Sequence, residues 1–279
     1  MSPGASSSRG MAAAGVAVAA EERPCVLVFA GLDPSGGAGL TADLQAIAGQ
    51  GAHALTVCTA LTVQDNDRVY GVQPVDAELV LRQARALADK IAIAAIKIGI
   101  TGSAANAQAI AGFITWLRER RQTVLHDLPV VLDPVLASGH GDLLSRDDAM
   151  LALAPLLPLT TVLTPNGPEA QALTGATRAD EQAAILRARG CRHVLITGGH
   201  GEGDEVVNRW HGPDAPRAWR WPRLDGAFHG SGCTLAAAIA GQLALGMPTA
   251  VALEHAQHYV YHALRDAYAI ASGQRIPLR

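Results

Sequence analysis

The sequence carries no block of like charge. Its 22 Lys and Arg against 25 Asp and Glu leave a formal charge of -3, and the cations are scattered. That excludes a sequence-independent nucleic-acid binder, which needs clustered Lys and Arg along a phosphate backbone. Cysteine is scarce. The four residues Cys25, Cys58, Cys191 and Cys233 lie far apart with no C-x-x-C, so neither a zinc knuckle nor a disulfide framework is indicated, and reduced thiols are the default. No apolar run reaches the ~20 residues of a membrane span. Matched repeats of 20–50 residues are missing, as is any linker that would split the chain. What is present is an apolar content of 49% over 279 residues, enough to bury a large sheet. The expectation is a low-complexity or disordered tail over residues 1–22 and one domain over 23–279.

Short apolar runs alternate with helical patterns. Cys25–Ala30 has the pattern of a buried strand, halted by Pro34 and the glycines around it. Leu40, Leu44 and Ile47 then share one helical face. Ala54–Leu61 predicts a second strand, ended by the polar run Gln64–Arg68, and Asp76 is placed to cap a helix reaching about Asp89. A third strand is expected within Ile91–Ile100. A helix from Ser103 to Arg121 follows, with Ala107, Ile110, Ile114 and Leu117 as its inner stripe. Pro129–Val135 is a fourth strand with Asp133 at its tip. Ser138–Gly141 reads as mobile, and Ser145–Asp148 as the start of another helix. Thr160–Thr164 and the run from His193 give the fifth and sixth strands, with a helix over Glu181–Gly190 between them. Val206–Trp210 and Arg217–Trp221 read as a hairpin, and Thr249–Ile270 as a long closing helix. Six alternations of strand and helix imply a three-layer α/β/α architecture. Its central sheet is mostly parallel, with helices on both faces and right-handed crossovers.

Several loops carry residues suited to chemistry. In Phe228–Thr234 the small residues Gly230, Ser231 and Gly232 let the backbone turn and expose N–H groups ahead of an Ala-rich helix. A helix start of this kind suits an anion; the alternative is a plain glycine-rich turn. Gly31–Gly39 does not fit G-x-G-x-x-G and reads either as a loop that lets a flat ligand approach or as a tight β–α turn. Gln64 stands near the carboxyl end of a strand, where open α/β sheets place ligands, and its carboxamide can both donate and accept. Asn166 and Glu169, three residues apart, fit a capping box or a site that holds Mg²⁺ through water. Cys233 in the first helical turn is either a small buried residue or, with its pKa lowered by the helix N-terminus, a proton acceptor.

Taken in order, Gly31-Leu32-Asp33-Pro34-Ser35-Gly36-Gly37-Ala38-Gly39 with Asp43, Thr59–Gln64, Lys97-Ile98-Gly99, Leu132-Asp133-Pro134-Val135, Thr164–Glu169 and His229-Gly230-Ser231-Gly232-Cys233 resemble the hydroxymethylpyrimidine/phosphomethylpyrimidine kinases of thiamine synthesis, of the ribokinase-like group. The resemblance spans about residues 25 to 270. It implies ATP-dependent phosphorylation of 4-amino-5-hydroxymethyl-2-methylpyrimidine to its monophosphate and then to the diphosphate. Gly31, Ala38, Asp43 and Gln64 would line the pyrimidine pocket. Asn166, Thr197 and Gly199 would meet nucleotide or phosphate, and Asp133 and Glu169 would hold Mg²⁺ through water. Gly230, Ser231 and Gly232 would form the anion hole, with Cys233 in the place of the base. Three positions depart from the family pattern. Thr197 stands where lysine is usual, which leaves Arg223 or a metal as the substitute cation; Ser231 replaces Thr; Ile100 replaces Met. A pyridoxal kinase of the same group and a non-catalytic pyrimidine-binding protein are the competing readings.

An edge strand in such sheets often pairs with a partner subunit, so a homo-oligomer, most simply a dimer, is expected, and the scattered charge and short apolar runs give no expectation of a nucleic-acid or membrane partner. Arg9 ahead of the apolar run Met11–Ala20 looks like a short signal sequence. A kinase that draws on ATP is nevertheless expected in the cytoplasm, with residues 1–22 as an extension and Met11 as an alternative start.

Overall fold

The computed structural model describes residues 1, 22–120, 128–136 and 152–279. The tail, the Ser138–Gly141 stretch and the helix expected from Ser145 lie outside these.

The strands are β1 (Cys25–Leu32), β2 (His53–Gln64), β3 (Val69–Pro74), β4 (Ile93–Ile98), β5 (Val130–Leu132), β6 (Val162–Leu163), β7 (His193–Ile196), β8 (Glu205–His211) and β9 (Arg217–Pro222). They form one nine-stranded sheet in the order β3-β2-β1-β4-β5-β6-β7-β8-β9. The neighbours from β2 through β1 and β4 to β7 pair in parallel. Three strands at the edges, β3, β8 and β9, pair antiparallel. Helices α1 (Gly39–Gly49), α2 (Ala77–Ala88), α3 (Ala104–Arg120), α4 (Gly167–Thr174), α5 (Ala179–Ala188), α6 (Ser231–Ala244) and α7 (Thr249–Arg265) cover both faces.

The alternation along β1 sorts the core into two layers. Leu27 and Phe29 face a cluster with Ile110, Ile114 and Leu117 of α3, while Val26, Val28 and Ala30 face one with Ile47 of α1, Ala236–Ala240 of α6 and Leu253 of α7. Each large side chain buried this way contributes about 1.5–3 kcal/mol. Small residues let α6 lie close: a Cβ on Gly241 would press on Gln50 just beyond α1. The stripe expected on α3 is buried, and Asp76 caps α2 by accepting from the N–H groups of Glu78 and Leu79.

Two elements differ from the sequence-based expectation. The polar run after β2 turns back as β3, an added antiparallel strand. Gly71, Pro74 and partly exposed side chains disguise it, because an edge strand takes its order from hydrogen bonds to β2 rather than from burial. The closing helix stops at Arg265 rather than at Ile270. The residues beyond have no apolar face to bury, since Tyr268 and Ile270 remain exposed. The chain instead doubles back, with Tyr268 bridging Ile276 and Phe228 bridging Arg275.

Candidate active site

Parallel strands deliver their following loops to one rim of the sheet. At the end of β1, the Asp33 carboxylate accepts from Ser35 N (2.8 Å), Ser35 Oγ (2.9 Å) and Ala38 N (2.8 Å). This is the self-bonding turn that an Asp followed two residues on by Ser favours. Asp33 also pairs with His229 Nε2 at 2.8 Å and takes a hydrogen bond from the Gln64 side chain. Burial pushes its pKa up, but the bonds from His229, Gln64 and Ser35 outweigh that and hold it well below the usual carboxylate range. One buried carboxylate thus joins the first loop, the end of β2 and the start of α6.

Two helices begin at this rim without a side-chain cap: α1 after Ala38 and α6 after Gly230. Neither has an acidic residue in its first turn, so both present backbone N–H groups with partial positive charge. Gly230 must be glycine on two counts. Its φ is +73°, and a Cβ there would overlap the carbonyl oxygen of Gly37. Gly31 is equally confined, because a Cβ would meet the Ile100 side chain at 2.5 Å. Ile100, one of the departures from the family pattern, therefore packs directly on the first loop.

Beneath these helix starts lies a buried charge cluster. Lys97 Nζ bonds Asp43 Oδ2 at 2.7 Å, and both side chains are fully buried. Asp43 therefore does not stand on the pocket wall, where the resemblance would place it; it lies below, as the counter-ion of Lys97. Burial disfavours the Lys97 charge, yet Asp43, Cys233 and Asp133 around it raise its pKa overall.

Cys233 also differs from expectation. Burial pushes its thiol up to about 12; Lys97 pulls the other way, but the charges of Asp133 and Asp43 offset it. The expected lowering rested on the helix N-terminus alone, and burial, aided by the nearby carboxylates, reverses it. The thiol is protonated at neutral pH, with the Asp133 carboxylate and the Gly39 N–H near enough to act on its titration.

Asp133 is pushed up to about 6, by burial first, then by Asp43, against the pull of Lys97. Glu169 is pushed up to about 8, by burial and by the charge of Asp133. Asp133 Oδ2 is buried without a partner. Two repelling buried carboxylates with an unused oxygen fit a hydrated divalent cation. Among the described residues no group of three or more His, Cys, Asp or Glu makes an all-protein metal cage. Glu169 and Asn166 also complete the reciprocal cap of α4: Glu169 N donates to Asn166 Oδ1 (2.8 Å), and Asn166 N to Glu169 Oε2 (2.9 Å). Of the two alternatives read from their spacing, the capping box is the one present.

Farther along the rim, Asn166 bridges Thr197, whose N–H donates to Pro165 O at 2.9 Å. Gly198 N donates to Asn208 Oδ1, Asn208 Nδ2 to Gln257 Oε1, and Trp221 Nε1 to the same oxygen. A Cβ on Gly199 would face open space. Arg223 grips this loop from outside, donating to the carbonyls of Gly199 (2.9 Å), Gly203 (2.6 Å) and Glu205 (3.3 Å). Interactions therefore link Gln64, Asp33 and His229 ahead of Gly230, and Glu169, Asn166 and Thr197 farther along, while Cys233, Asp133 and Glu169 between them feel one another's charge. Sequence reasoning missed Asp33 and His229 as a pair, and gave Lys97 no role. A lysine inside the apolar run Ile93–Ile98 was the available signal for a buried ion pair.

Residues 33–278 match the family profile described as phosphomethylpyrimidine kinase. The hydroxymethylpyrimidine/phosphomethylpyrimidine kinase of Streptomyces coelicolor is 38% identical over 258 residues, covering 90% of this chain and 92% of that one. Among solved structures, the phosphomethylpyrimidine kinase of Clostridium difficile superposes with a TM-score of 0.71 at 29% identity, covering 86% and 98%. The ADP complex of Bacillus subtilis pyridoxal kinase gives 0.79 at 26%, covering 92% and 97%.

Proposed function

The chain belongs to the phosphomethylpyrimidine kinase family, and from that premise we propose that it transfers the γ-phosphoryl of ATP to hydroxymethylpyrimidine and then to the resulting monophosphate, as a step of thiamine biosynthesis. The observation that carries this reading is the convergence of two uncapped helix starts, at Gly39 and Ser231, over the buried group Lys97–Asp43–Asp133–Cys233. In phosphoryl transfer the protein mainly positions groups and neutralises charge. Gly31, Ala38 and Gln64 form the acceptor pocket. The N–H groups of Ser231, Gly232 and Cys233, freed by the turn at Gly230, receive the transferred phosphoryl oxygens. Asn166, Thr197 and Gly199 take the nucleotide end. Asp133 and Glu169 would hold Mg²⁺, which would supply further charge neutralisation.

With its thiol protonated, Cys233 works as a relay. The alcohol passes its proton to the sulfur as the S–H proton moves to Asp133, the neighbouring carboxylate. The charge on Lys97 stabilises the cluster while this happens.

Residues 23–279 are read as a single kinase domain, since one sheet carries strands from Cys25 to Pro222 and residues 275–276 bridge back to its loops. The exposed apolar side chains Leu61, Val63 and Tyr70 on β2 and β3 favour a homodimer through that edge. Among the described residues no helix is long and apolar enough to cross a membrane, and dependence on ATP places the enzyme in the cytoplasm.

Mass spectrometry of products from ATP and hydroxymethylpyrimidine, with pyridoxal as a parallel acceptor, tests the assignment. Sequential gain of one and then two phosphoryl groups on the pyrimidine is expected. Turnover of pyridoxal alone would move the chain to the pyridoxal kinase reading, and turnover of neither would leave a binding protein.

A further inference from the structure

Beyond Arg265 the chain returns along the outer side of the rim. Asn66 Nδ2 donates to the carbonyls of Ser272 and Gln274, both at 3.0 Å, and Gln274 Nε2 reaches Asp67 O. Arg275 N donates to Ala227 O, and His229 N to Arg275 O, each at 2.9 Å. Ile276 is buried and lies against Gly37. This strap therefore touches the loop after Gln64, the approach to Gly230 and the first glycine loop in turn.

The strap ends its course at Arg279, whose guanidinium makes three bonds. Nε donates to Thr234 Oγ1 (2.8 Å), Nη2 to Gly37 O (2.5 Å) and Nη1 to Gln45 Oε1 (3.4 Å). A Cβ on Gly230 would come within 3.0 Å of Nη2, so the cation lies directly behind the turn that opens α6. Cys233, Asp43, Tyr259 and Tyr268 are the titratable groups around it. Gly37 O is also the acceptor packed against Gly230. An unmatched carbonyl there would set a partial negative charge beside a cradle built for an anion. The Nη2 bond occupies that oxygen and adds a full positive charge behind it.

We propose that Arg279 is a positioning residue for phosphoryl transfer. Acting through Gly37 and Thr234, it fixes the spacing between the first glycine loop and the first turn of α6, and so aims two sets of backbone N–H groups at one tetrahedral anion. It touches neither acceptor nor nucleotide; it sets the geometry of the groups that do. This rests on the kinase reading above.

The test uses the full chain with Arg279→Ala, Arg279→Gln and Arg279→Lys, thermal unfolding of each, and added guanidinium ion as chemical rescue. Misplacing reacting groups by a small distance costs about 10- to 100-fold in rate. We expect that loss in kcat for Ala and Gln, with KM for the pyrimidine within about threefold of wild type. Lys recovers part of the rate, because it replaces the charge but not the planar fork, and guanidinium ion restores Ala but not Gln. A kcat for Gln or Ala within twofold of wild type overturns the proposal. So does a loss that tracks the unfolded fraction, or one that appears only in KM. If Ala does not fold, Gln and Lys decide. Wild-type protein that turns over no acceptor would sink the kinase reading instead. The cradle is then read directly, by whether inorganic phosphate raises the melting temperature of wild type but not of Arg279→Gln, and equal rises overturn the role of Arg279.

Discussion

The two halves of the rim are built differently. On the acceptor side, Asp33 gathers Ser35, Ala38, Gln64 and His229 around one buried carboxylate, and Lys97 and Asp43 form a fully buried pair beneath it. On the side proposed for the nucleotide, the loop from Gly198 to Glu205 is gripped by the half-buried Arg223 through solvent-exposed hydrogen bonds, and a Cβ on Gly199 would face open space. Buried, charge-assisted bonds are strong and costly to break, whereas exposed ones are weak. On the proposed assignment, the acceptor half is thus fixed before anything binds, while the nucleotide half is held loosely enough to adjust to its ligand.

Breaking that contrast should be hardest at Lys97. Lys97→Met strands Asp43 in the interior, and denaturant unfolding should register a loss of about 3–5 kcal/mol; replacing Asp43 with Asn in the same chain should return part of it. A small loss for the single variant would mean that water reaches the pair.

Cys233→Ala removes the relay and not the fold. A kcat lower by about 100-fold, with pyrimidine binding by calorimetry unchanged, is expected. Full turnover would show that the proton leaves by another route.

The next effect is one of pH. The folded-state pKa of Asp33 is depressed, so its contribution to stability is present above the unfolded value of about 4 and is lost as pH falls through the folded value. Unfolding followed from pH 7 downward should show wild type losing stability in acid, and Asp33→Asn should flatten that slope. Parallel curves would place the charge elsewhere.

The smallest effect belongs to the exposed side. Arg223→Ala should raise KM for ATP by a few-fold, as befits solvent-exposed bonds worth under about 1 kcal/mol, and leave KM for the acceptor alone. A larger change in acceptor KM would erase the distinction between the two halves.

How much of this could be read from the residues depends on distance along the chain. The cap at Asp76, the stripe on α3, the β8–β9 hairpin and the box at Asn166–Glu169 are local patterns, and each is present. The pairing of Lys97 with Asp43 spans 54 residues, and that of His229 with Asp33 spans 196; no periodicity announces either. Cys233 is instructive because its local signal pointed the wrong way. A helix start lowers a thiol pKa, but this thiol is raised first by burial under the packed helices and then by carboxylates that arrive from the end of β5 and from α1. The strap was hidden for a related reason, since it forms no regular element and several of its partners, such as Asn66 and Gly37, lie more than 200 residues away.

Of the four tryptophans in the sequence, Trp210, Trp219 and Trp221 belong to the β8–β9 hairpin, and Trp221 is wired through Gln257 and Asn208 to Gly198. Trp116 sits apart, between Arg85 and Arg120. The intrinsic fluorescence of this chain is therefore an optical gauge of one half of its active site, and is nearly blind to the other.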